Sequence, residues 1–224
     1  MDSTLISQTH RRGFLGRAAG AIALLAAGGV RGASAETPTA ADGSPGDEWL
    51  AKITGKHKQF FDATTINEGF PFAFAMTFMN TNKLAYGLND KDLTAVVGLR
   101  HFAIPMAFSD EIWKKYKIGE MLNVKDKSTG QPAERNIFAH PKDGDLMTPD
   151  MAVDKVMARG AMVTCCNVAL TVLSGARAPV AGVTPQQALD DWKAHIFPGV
   201  VIVPSGVLAV NRAQEKGCTY CFAS

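Results

Sequence analysis

The residues with the greatest chemical reach in this 224-residue chain are four cysteines, arranged as two pairs. Cys165 and Cys166 are adjacent, and Cys218 and Cys221 form a C-x-x-C. A thiol reacts as its thiolate, which is favoured by backbone N–H groups at a helix start and by nearby cations. Residues 161–164 read as a short strand and a helical pattern begins at Asn167, so the adjacent pair is predicted at a strand-to-helix junction. Three readings of that pair stand side by side: a reactive thiol, small core residues, or partners in a disulfide. Adjacent cysteines bridge each other poorly, because the small ring strains the peptide between them. Cys218 and Cys221 fall in a predicted strand, where residues three apart face opposite sides. That weakens a thiol-redox or zinc reading and leaves a structural disulfide involving Cys218 and Cys221 as an option. Adjacent cysteines also space metal ligands badly, so no metal site is assigned.

The elements that must position these thiols follow from the apolar pattern. Strands are predicted at 58–64, 93–99, 161–164, 199–203 and 218–222. Helical patterns cover 72–84, 109–116, 148–160, 167–173, 184–195 and 205–216. Thr148-Pro149 and Thr184-Pro185 each offer a capping hydroxyl followed by a proline suited to the first turn. Residues 119–147 are polar and turn-rich and read as an irregular excursion. Alternating strands and helices imply one three-layer α/β/α domain, with a mostly parallel sheet of about five strands and a flavodoxin-like appearance. The pattern leaves the strand order open.

In an open parallel sheet, ligands bind beyond the carboxyl ends of the strands. Asn67 follows the first predicted strand, and Arg100 and His101 follow the second. Cys165, Cys166 and Asn167 follow the third, and Ser205 and Gly206 follow the fourth. His101 is the candidate general base or thiolate partner. Arg100, Asn67, Asn167, Ser205 and Gly206 are candidates to hold an anionic ligand. The Phe72, Phe74, Met76, Phe78, Met79 cluster reads as core. No phosphate-binding or dinucleotide-binding glycine motif occurs, and no cofactor is assigned.

The first 35 residues read as an export signal. Arg11-Arg12-Gly13-Phe14-Leu15 resembles a twin-arginine motif, residues 18–30 form a weakly hydrophobic run, and Ala33-Ser34-Ala35 is an A-x-A cleavage site. The run is too short to span a bilayer, so a periplasmic protein with no membrane span after cleavage is expected. The chain carries 23 basic and 21 acidic residues, a formal charge of +2. Residues 1–35 hold four of those arginines (Arg11, Arg12, Arg17, Arg31) and one acid (Asp2), which leaves a formal −1 on the remainder. A near-neutral domain has no electrostatic footprint for nucleic acid. Residues 36–55 are expected to be a flexible linker and 56–224 the folded domain.

Several stretches resemble the DsrE/DsrF-like family of small sulfur-relay and sulfur-carrier proteins. They are Met162-Val163-Thr164-Cys165-Cys166-Asn167-Val168-Ala169-Leu170, Gly199 to Val207, and Gln214-Glu215-Lys216-Gly217-Cys218-Thr219-Tyr220. Val97-Gly98-Leu99-Arg100-His101 and Trp113 to Glu120 resemble exported members. The resemblance implies a cysteine after the third strand that carries sulfur as a persulfide. Cys165 best matches that place, with Cys166 next. It also implies a homotrimer or homohexamer, with small sulfur species or a sulfur-carrier protein as partner, besides the twin-arginine export machinery. The leading expectation is a periplasmic protein that carries or transfers sulfane sulfur. The alternatives are a non-catalytic binding module for a metal or cofactor, and a disulfide-stabilised scaffold.

Overall fold

Two adjacent apolar residues in each inner strand fix the layering. Phe60 and Phe61 on one strand, and Val96 and Val97 on the next, point to opposite faces and are all buried. A sheet whose both faces are apolar must be covered on both. The computed structural model describes residues 46–224. The expected export signal and the linker up to residue 45 lie outside the described residues. Among those described, no helix is long and apolar enough to cross a membrane.

The elements are β1 (His57–Ala63), α1 (Phe70–Tyr86), β2 (Leu93–Leu99), α2 (Asp110–Lys115), α3 (Ile118–Leu122), α4 (Val153–Ala158), β3 (Met162–Cys166), α5 (Asn167–Ala181), α6 (Pro185–Ala194), β4 (Val201–Val203), α7 (Gly206–Glu215) and β5 (Thr219–Phe222). All five strands are parallel, in the spatial order β4-β3-β2-β1-β5. From β1 to β4 the chain marches one way across the sheet. Right-handed crossovers then put α1, α4 and α5 on one face, where they bury Phe61, Val97, Val163 and Cys165. The step from β4 to β5 runs back across three strands. The same handedness sends α7 to the other face, over Phe60, Val96 and Val203. Gly98 matters here, because a Cβ at that position would overlap the Phe60 ring.

Several boundaries differ from expectation: the helix expected at 167–173 runs on to Ala181, the strand expected at 199–203 starts only at Val201, and three further differences bear on the core and the site. Residues 48–52 form a short 3₁₀ turn, and Trp49, Leu50 and Ile53 are buried in the α7-side core. The domain therefore begins before residue 56, and the expected linker is shorter than 36–55. Thr148-Pro149 opens only a 3₁₀ turn; the chain extends at Ala152 and restarts as α4, which lets Val153 and Val156 reach the core. β3 runs two residues past its expected end, because β2 and β4 continue to flank it there. The second Thr-Pro behaves as expected: Thr184 accepts the Gln187 N–H, and Gln187 returns the bond to the Thr184 N–H.

Beyond α3, which takes up its first residues, the 119–147 excursion is irregular in backbone but firmly held. Asn136 is fully buried and fully bonded. Its Nδ2 donates to the carbonyls of Pro105, Met106 and Phe108, and its Oδ1 accepts from the N–H groups of Phe138 and Ala139. Arg135 forms ion pairs with Asp126 at 2.6 Å and Asp145 at 2.9 Å. Replacing Asn136 by Ala takes this partner from the Met106 and Phe108 carbonyls and from the Phe138 N–H, while the Pro105 carbonyl keeps the Trp113 Nε1 and the Ala139 N–H keeps the Asn136 carbonyl. Asn136→Ala should lower unfolding free energy by about 3 kcal/mol in urea titration. Arg135 and the Ser128 hydroxyl hold the Asp126 carboxyl below its ordinary range. A carboxyl depressed in the folded state stabilises it fully above its unfolded value, about pH 4, and loses that contribution as pH falls. Limited proteolysis should therefore begin to cut within 119–147 as the pH drops below about 4, with cleavage there unchanged between pH 5 and 7.

Candidate functional site

The extra length of β3 decides the fate of its two cysteines. Cys165 lies within the strand, paired with Leu99 of β2 and Ile202 of β4. Its side chain is 0% exposed among the core residues of the α1 and α5 face, and burial pushes its thiol far above the ordinary value. Cys166 is the last strand residue and the cap of α5, where its Sγ accepts the Ala169 N–H at 3.4 Å. It is 6% exposed. The helix start therefore acts on Cys166, and the place first favoured for Cys165 is a core position.

Arg100 leaves the end of β2 beside Cys166, close enough that a Cys166 thiolate would act on its charge. It is not free. Its Nε and Nη2 make a bidentate pair with Asp62 of β1, at 2.7 and 2.8 Å. Asp62 is 2% exposed and also accepts the Tyr220 hydroxyl of β5 at 2.9 Å. One carboxylate thus joins β1, β2 and β5. The bond to Asp62 raises the Arg100 pKa, while burial and the same carboxylate raise that of Tyr220. The Arg100 Nη1 makes no hydrogen bond among the described residues, so one edge of the guanidinium keeps donors to offer.

Gly206 closes the arrangement from the other side. A Cβ there would sit 2.7 Å from the Arg100 Cβ and 3.3 Å from the Cys166 Cβ, so glycine lets the start of α7 press against both. Two helix N-termini, those of α5 and α7, therefore meet at the Cys166 end of β3. Ser205 occupies the cap position of α7 without a capping bond from its hydroxyl. Asn167, next to Cys166, has a buried Oδ1 with no partner.

The other expected site residues stand apart. His101 is exposed, in a left-handed backbone conformation (φ 49°), and its ring makes no hydrogen bond among the described residues. Asn67 is occupied structurally, its Nδ2 donating to the Ala223 carbonyl at 3.2 Å. All four cysteines are free thiols. Cys218 belongs to the α7-side core and Cys221 packs on the opposite one, so the optional disulfide between them is not formed. Nor do the two pairs reach each other. β3 and β5 are three strand spacings apart, roughly 14 Å, against the Cα separation of about 6 Å that a disulfide requires. Among the described residues, no group of three His, Cys, Asp or Glu side chains is placed to hold a metal.

Asp62 and Tyr220 escaped the sequence reading. The signal was present for Asp62: a carboxylate inside KQFFDAT, in a strand covered on both faces, demands a buried partner. Tyr220 carried no such signal, since its role depends on β5 lying beside β1. No family model, curated protein or solved structure matches this chain.

These placements order the thiols by reactivity. Iodoacetamide labelling of the native protein with peptide mapping should modify Cys166 and Cys221 and leave Cys165 untouched until the chain is unfolded. Arg100→Met should slow Cys166 labelling at pH 7 roughly threefold.

Proposed function

We propose that this protein handles sulfane sulfur outside the cytoplasm, with Cys166 as the residue that carries it as a persulfide. The observation that carries this reading is the setting of the Cys166 sulfur: at the N-terminus of α5, bonded to the Ala169 N–H, beside Arg100 and under the first turn of α7. Each of these favours a thiolate and the terminal sulfur anion of a persulfide. The resemblance to the DsrE/DsrF-like family supports the same chemistry, and the twin-arginine motif with cleavage after Ala35 supports a periplasmic location. The displacement of the role from Cys165 to Cys166 follows from burial.

The step balances without an added oxidant. The Cys166 thiolate attacks the terminal sulfur of an inorganic polysulfide. One S–S bond forms, another breaks, and the electron pair leaves on a polysulfide shorter by one sulfur. An acceptor thiolate then attacks the outer sulfur and regenerates the Cys166 thiolate. The free donors of Arg100 and the backbone N–H groups at the starts of α5 and α7, at Asn167 and at Ser205–Gly206, would hold the anionic sulfur during both steps. Phe102, Val168, Val207 and Phe222 are exposed around the same end of the sheet. That apolar rim supports a protein partner, either a sulfur-carrier protein or further copies in a homotrimer or homohexamer.

Mass spectrometry after polysulfide loading tests the assignment. One added sulfur should map to Cys166, persist in Cys165→Ala, and vanish in Cys166→Ser. An adduct confined to Cys221, or none at all, refutes it.

A further inference from the structure

The strand order reverses at β1, which has β2 on one side and β5 on the other. Open parallel sheets place ligand crevices at such reversals, beyond the carboxyl ends of the strands. A cleft of about 450 Å³ lies beside the carboxyl end of β1, between the loop that follows it and the 119–147 excursion. Small-molecule sites occupy roughly 300–1,000 Å³ and are mostly apolar with a few polar groups.

The walls have that character. Ile66, Val124, Phe138 and Met147 line the cleft, and Leu146 stands at it 52% exposed. Asn67, Glu68 and Gly69 follow one another in left-handed backbone conformations, with φ of 36°, 52° and 91°. Left-handed non-glycine residues are disfavoured and persist where their surroundings hold them. Here the Asn67–Ala223 bond ties that loop to the end of β5. The opposite wall is held by Arg135, which pairs with Asp145 at the cleft and with Asp126 behind it. Lys125, Lys127 and Glu68 remain as lining charges, and none is ion-paired among the described residues. Asp145 also lines the cleft and shares Arg135 with Asp126, so the lining as a whole carries no net charge, and Lys125 and Lys127 are its two unpaired cations.

We propose that this cleft binds a small amphipathic anion, an apolar chain ending in a carboxylate or sulfonate. The chain lies among Ile66, Phe138, Leu146 and Met147, and the anionic head faces Lys125 and Lys127. The site is separate from Cys166 and does not depend on the sulfur chemistry proposed for it.

Calorimetric titration of the full chain with octanoate, and in parallel with octylamine, tests the inference. Octanoate should bind saturably, and octylamine at least about tenfold more weakly. The double variant Lys125→Ala, Lys127→Ala should weaken octanoate binding about fivefold. Leu146→Asp, at an exposed position the fold does not depend on, should abolish it. Absence of saturable octanoate binding overturns the proposal. So does octylamine binding as tightly, or unchanged octanoate affinity in either variant.

Discussion

The handedness of the crossovers is the constraint on which the rest of this structure depends. Four strands laid down in one direction place their helices on one face. The fifth strand can be reached only by turning back, and turning back with the same hand puts α7 on the other face. That single reversal does three things. It covers Phe60 and Val96, it brings Gly206 against Cys166 and Arg100, and it sets β5 beside β1 so that Tyr220 meets Asp62. The candidate site is therefore a product of topology, assembled from the ends of strands that are far apart in the chain.

What was legible in the chain follows the same division. The strands were readable because buried parallel strands are short apolar, β-branched runs bounded by turn residues, as in residues 93–99. The rim was readable because topology puts functional groups at the carboxyl ends. The choice between Cys165 and Cys166 was not. It turns on whether β3 ends two residues earlier or later, which its neighbours settle by continuing to pair with it. The disulfide option was undone by a similar non-local fact, the two strands that separate β3 from β5.

The 119–147 excursion shows the limit from another side. Its polar, turn-rich composition reads as irregular throughout, although α3 takes up its first residues. What orders it is Asn136, whose partners lie about 30 positions earlier at Pro105, Met106 and Phe108, and Arg135 with its two carboxylates. A polar sequence became ordered structure because its side chains bond backbone groups of the 3₁₀ segment after β2.

The bond from Tyr220 to Asp62 spans 158 residues. Until β5 arrives, β1 presents an open edge, and the Asp62–Arg100 pair lacks its third member. Contacts of such long range form slowly, and an unpaired strand edge invites association with other chains. The sheet therefore closes only when nearly all of the described chain has been synthesised, and the period before closure is the one in which this protein most needs shielding from its neighbours.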